Sequence, residues 1–195
     1  MDLDLRKFVA PVAAQIAQRV SEFDASNNDG PGESGEPIQQ ITLGFQFDQA
    51  AWVALVFDTR PDADPSYDGQ WQAHIEENVL ECDVEPWMEA YEALFNDEAQ
   101  PVAVTAVDGT TSTIGPHAES EEDDESEERL TARLAEVFGS VLRDSLLSAR
   151  DDGVFANLPV APDCVLRVDD HEGSYGWPDF ENRGTESDDG RLVRQ

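Results

Sequence analysis

The chain has 195 residues, and its 43 aspartates and glutamates face only 12 lysines and arginines, which leaves a formal net charge of −31. Lys7 is the single lysine. Such an excess of negative charge disfavours DNA or RNA phosphate and anionic lipid as partners. With Lys7 the only lysine, no Gly-rich phosphate loop with a following lysine exists, and phosphoryl-transfer and Schiff-base enzymes are poor candidates.

The length suits one domain, and 39% hydrophobic residues with four tryptophans argue against a disordered solvating chain over most of it. An acidic mimic of nucleic acid is a weaker alternative. Cys82 and Cys164 have no close spacing, so they imply neither a disulfide framework nor a zinc site. They read as small buried hydrophobes in a reducing compartment. No apolar run approaches the roughly 20 residues that span a bilayer. The opening MDLDLRKF does not read as a secretory signal, so a cytoplasmic location and no membrane partner are expected.

Phe8, Val9, Val12, Ile16, Val20 and Phe23 have helical spacing, interrupted by Pro11. An interior proline costs about 3 kcal/mol, so the well-formed helix is expected from Pro11 onward, with a kinked turn before it. Residues 26–37, rich in Gly, Pro, Ser and Asn, are expected to be a loop. Ile41, Leu43, Phe45 and Phe47 alternate with polar residues or glycine, which predicts a half-buried strand. The apolar run 52–57 predicts a central strand paired with it as a hairpin, with Trp52 in the core. A loop over 58–69 and a short helix near 71–79 follow. Pro86 reads as the start of another helix, with Trp87, Tyr91, Leu94 and Phe95 on one face.

Residues 102–107 read as a short strand closed by the Asp108–Gly109 turn. The run 119–128 holds eight carboxylates in ten positions and is expected to be a solvated loop within an acidic insert, 117–128. Leu130, Leu134, Val137, Phe138, Val141 and Leu142 form the clearest helical stripe, stopped at Gly153. Pro159 and Pro162 bracket an expected turn, and 164–168 an expected strand. Together these elements predict an α+β single domain over 1–181, with a small antiparallel or mixed sheet and helices mainly on one face. Residues 182–195 are expected to be a frayed tail.

Few constellations carry chemistry. Asp64, Ser66, Asp68 and Gly69 match the early positions of a calcium loop, but Ile75 stands where the bidentate glutamate belongs. Asp169, Asp170, His171 and Glu172 gather possible ligands at a strand end, yet neighbours on a strand point to opposite faces. A divalent-metal-dependent hydrolase or metal-binding protein using Asp64, Asp68, Asp169, Asp170 and His171 is therefore the alternative reading. Gly32–Glu33–Ser34–Gly35 falls short of a serine elbow. Glu81 and Asp83 flank Cys82 and would raise its pKa rather than activate it. Paired carboxylates for glycosidic work have no discriminating signal in so acidic a chain.

Aromatic residues in loops carry more weight. Tyr175 and Trp177, in a glycine-containing segment, and Trp71 are the expected binding residues, since exposed aromatics on a charged surface mark binding patches. The expected function is a non-enzymatic module that binds another protein, with no cofactor and an open oligomeric state.

Two resemblances add to this. In composition the whole chain is similar to halophilic archaeal cytosolic proteins, which balance molar internal potassium. In element order it resembles an uncharacterised α+β family among bacterial toxin-immunity-type proteins. That likeness is carried by the opening helix, Phe45 to Phe57, Pro86–Trp87 through Tyr91–Glu92, the helix from Leu130 ending in Asp152–Gly153–Val154–Phe155, and Val165 to Asp169 with Asn182 beyond. The family resemblance implies a small cytosolic protein that binds another protein and performs no chemistry.

Overall fold

The computed structural model describes residues 1–23, 37–46, 52–59, 80–95, 100–115, 123–170, 180–181, 185–186 and 192–193. In chain order these form β1 (Asp2–Asp4), α1 (Arg6–Glu22), β2 (Ile38–Gln46), β3 (Trp52–Asp58), α2 (Glu85–Phe95), β4 (Val102–Thr105), β5 (Thr111–Ile114) and α3 (Asp123–Asp151). A 3-10 turn (Val154–Asn157), β6 (Val160–Asp170), β7 (Phe180–Glu181), β8 (Thr185–Glu186) and β9 (Leu192–Val193) complete them. The architecture is an α+β single domain with mixed sheets.

The larger sheet has the order β3-β2-β6-β7, with β2 antiparallel to β3 and parallel to β6. Its inner face carries Ile41, Leu43, Phe45, Val53, Leu55, Cys164, Leu166 and Val168, all buried in one core with α1, α2 and α3. Phe138 of α3 meets Phe45 edge to face at 5.2 Å between centroids, which fixes the helix on this side. The smaller sheet, β1-β4-β5, adds Leu3, Val102, Val104 and Ile114 to the same core.

The expected hairpin partners do pair, but their roles are exchanged. β2 is the interior strand and β3 lies at the edge, where the Leu80 amide donates to the Val53 carbonyl at 2.8 Å. Gln40 and Thr42 on β2's second face are 1% and 3% exposed, so β2 is buried on both sides despite its polar alternation. Trp52 stands on that second face, half-buried against Ala54 and Val56 and outside the main core. Its indole Nε1 donates to Gln46 Oε1 at 3.0 Å.

Other boundaries differ for local reasons. α1 starts at Arg6, before Pro11 rather than at it. Pro11 lies on the exposed side of the helix, so the carbonyl deprived of its donor falls on the solvent side. Leu3 and Leu5 are buried because β1 runs parallel to β4, a long-range pairing that three residues of Asp-Leu-Asp do not announce. α3 begins at Asp123, so the second half of the acidic run is helical rather than loop.

No turn separates Pro159 and Pro162. β6 already pairs at Val160, and five of its steps to Val165 oppose two on β2, so exposed Pro162 and Asp163 bulge from the ladder. The stripe of α3 runs on through Leu146 and Ala149, and Ser145 is tolerated within it because its hydroxyl donates to Val141 O at 2.7 Å. Gly153, at φ 75°, ends the helix as its spacing predicts. Within the expected tail, β8 and β9 pair antiparallel.

Candidate interaction surface on the second helix

α2 is built on three parallel stripes. Trp87, Ala90 and Leu94 point into the core, and Trp87 is only 1% exposed. Its ring meets Phe138 edge to face at 4.7 Å and Phe8 at 5.2 Å, so the helix is held between α1 and α3. Beside this stripe lie Met88, Tyr91 and Phe95, all half-buried. Tyr91 and Phe95, one turn apart, stack with centroids 4.4 Å apart and planes inclined by 30°. Next to them, Glu85, Glu89 and Glu92 form an exposed row at i, i+4 and i+7. The Asp83 carboxylate accepts from the Glu85 amide at 3.3 Å at the start of the helix. The Gln100 amide donates to the Ala93 carbonyl near its end at 2.6 Å.

Trp87, Tyr91, Leu94 and Phe95 share one face, as expected, with graded burial across it. Trp87 and Leu94 are core, whereas Tyr91 and Phe95 flank it. Spacing of three and four residues groups them without saying which is central. The acidic row was legible in the same spacing, but it does not stand out in a chain so rich in acids.

The remaining candidates are placed as follows. Tyr175, Trp177 and Trp71 lie outside the described residues, as do Asp64, Asp68, His171, His74, His117 and Ser34. Asp169 and Asp170 fall on opposite faces of β6. Asp169 is registered with Gly44 on the second face, and Asp170, 5% exposed, with Phe45 on the core face. They do not converge on one ligand. Among the described residues, no group of three or more His, Cys, Asp or Glu side chains is placed to hold a metal ion.

Burial pushes the Cys82 thiol up to about 11. Burial, with the nearby Asp163 charge adding to it, pushes Cys164 up to about 12. Both thiols are therefore protonated at neutral pH and neither is an activated nucleophile. On α3, partial burial raises the Asp144 carboxyl above its ordinary range; Arg143 opposes this and Asp108 adds to it. The Asp108 carboxylate sits low because the Thr110 hydroxyl and amide donate to it at 2.7 and 2.8 Å, closing the β4–β5 turn. Among the described residues, no helix is long and apolar enough to cross a membrane.

Searches against protein-family models, curated proteins and solved structures find no match to this chain.

Proposed function

We propose that this chain is a non-enzymatic, cytosolic protein-binding module, of the kind its toxin-immunity-type resemblance implies, working in concentrated electrolyte. The observation that supports the reading is the Tyr91–Phe95 stack, half-buried on α2 next to the stripe that Trp87 locks into the core. Rigid aromatic rings on a fixed scaffold give contact area at low conformational cost, and such residues dominate binding energy at protein interfaces. The protonated state of both cysteines agrees with a role without nucleophilic chemistry.

The test is reconstitution of a binary complex. A partner isolated from the native host at molar KCl is purified, and its Kd is measured against the wild-type chain and the Tyr91→Gln variant. Hydrogen exchange then maps the contact. A stoichiometric complex that protects α2 and weakens in the variant supports the reading. A chain that forms no such complex, or whose partner ignores Tyr91 and protects another face, contradicts it.

A further inference from the structure

β5 closes one side of the order β1-β4-β5, and among the described residues no strand pairs with its outer edge. Thr111, Ser112 and Thr113 are all exposed. Sheets ordinarily guard such an edge with charge, proline, shortness or a covering segment, because its unpaired amides and carbonyls template pairing with another chain. The other edges of this fold follow that rule. β1 carries Asp2 and Asp4 in three residues, and β7, β8 and β9 have two residues each. On β3 the Leu80 amide covers the Val53 carbonyl. β5 has four residues, none charged and none proline.

This neutrality is out of keeping with the rest of the chain. Charged residues make up 28% of the sequence, yet Asp108 is the only one in residues 99–118. The comparable stretch 37–57, with Asp48 alone, contains β2 and β3, which are mostly buried. Burial accounts for that stretch but not for the three exposed residues of β5. Asp108 itself turns back on its own loop, accepting from the Thr110 amide and hydroxyl at 2.8 and 2.7 Å.

We infer that β5 pairs with β5 of a second copy of this chain, antiparallel about a two-fold axis at Ser112, so that the two smaller sheets join into one of six strands. The backbone phase fits this arrangement. The Ala106 amide donates to the Thr110 carbonyl at 2.8 Å, so in the β4–β5 register residues 110, 112 and 114 turn their backbone groups toward β4. Thr111 and Thr113 turn theirs outward. The axis sets Thr111 opposite Thr113 of the second copy, and each such pair exchanges both backbone hydrogen bonds. Their side chains lie on the face away from buried Ile114 and form cross-strand threonine pairs. Ser112 meets its own counterpart at the close, non-hydrogen-bonded position, which a small side chain suits.

Charge selects the occupant. A basic partner would favour the acidic surface, whereas a second copy, itself at −31, needs a place where neither chain brings a carboxylate. Asp108 lies four residues from the axis. The two Asp108 groups therefore stand about 20 Å or more apart, several times the about 3 Å screening length of molar salt.

The test is sedimentation of the full-length chain at about 1 M KCl over about 10 μM to 1 mM, since so small an interface belongs to the weak, transient class. A reversible monomer–dimer equilibrium is expected in that range. Thr113→Pro removes one outward amide without touching the β4 ladder and should weaken the dimer by about tenfold or more. T111E/T113E and T111K/T113K each set like charges opposite one another, so each should sediment as a monomer, and an equal mixture of the two should restore a dimer. That rescue also shows that both variants are folded. The α2 surface takes no part, so failure here leaves the protein-binding reading standing. A wild-type chain that stays monomeric to the top of the range, a dimer that survives T113P or either charged variant, or charged variants that remain apart on mixing would overturn the inference.

Discussion

Phe138 on α3 stands between two aromatic rings from different layers, with Trp87 of α2 at 4.7 Å and Phe45 of β2 at 5.2 Å, both edge to face. One side chain therefore couples the helix that carries the candidate surface to the larger sheet. Phe138→Ala leaves a cavity at this junction, and such truncations cost about 3–5 kcal/mol, a large share of the about 5–15 kcal/mol that holds a typical domain together. Denaturant titration at molar KCl should show that loss in its midpoint. A cost below about 1 kcal/mol would mean that the rings are not a structural junction.

Gly153 gives a smaller and cleaner test. It adopts φ 75° where α3 stops, and an added Cβ would meet nothing within 4 Å. Gly153→Ala should cost only the left-handed backbone penalty, about 1–2 kcal/mol. The same denaturation measurement checks this, and a variant as stable as the wild type would contradict the assigned cap.

Alkaline stability should report the buried thiols. Cys164 ionises in the folded chain near about 12, against an ordinary value of 9.0, because of burial first and Asp163 second. A raised folded value stabilises the native state at and below the ordinary value. That contribution is lost as pH climbs from about 9 toward about 12, where the unfolded chain ionises first. The wild-type thermal midpoint should fall across that window, and Cys164→Ala should fall less steeply. Parallel curves would contradict the assignment.

Asp144 has the same sign at the acid end. Its raised carboxyl favours the folded state below the ordinary 3.8 and loses that advantage as pH rises through the folded value. Asp144→Asn removes the cost of burying the charge, so its thermal midpoint should exceed that of the wild type at neutral pH and approach it in acid. A variant less stable than the wild type at neutral pH would show that the Arg143 contact, at 4.0 Å, outweighs burial.

Much of this fold is legible in the sequence. The stripe from Leu134 to Leu142 and the alternation of Ile41, Leu43 and Phe45 mark α3 and β2, because burial repeats with the period of the element. What escaped was set by distant partners. Asp2–Asp4 becomes a strand only through Thr105 and its neighbours, and Thr111–Ile114 is a mostly exposed edge strand without an apolar period. Pro11 and Pro162 mislead for one shared reason: each sits on an exposed side, where a missing amide is tolerated. At the candidate surface, spacing found Tyr91 and Phe95 but not which side of the helix is sealed, since Trp87 reaches the core only by packing on Phe8 and Phe138.

The carboxylates themselves decide how everything else is read. Arg6–Asp4, Arg19–Glu22, Arg143–Asp144 and Arg150–Asp151 join residues at most three apart, and none of these pairs reaches across the fold to offset repulsion. Self-repulsion at a net charge of −31 weakens a compact state, and the proposed concentrated electrolyte would screen it. Far-UV ellipticity followed as KCl is lowered from about 2 M to about 0.1 M measures this directly, because the screening length grows severalfold over that range. Cooperative loss of helix and strand signal is the expected result, and full native ellipticity retained at the low-salt end would contradict a medium-matched surface.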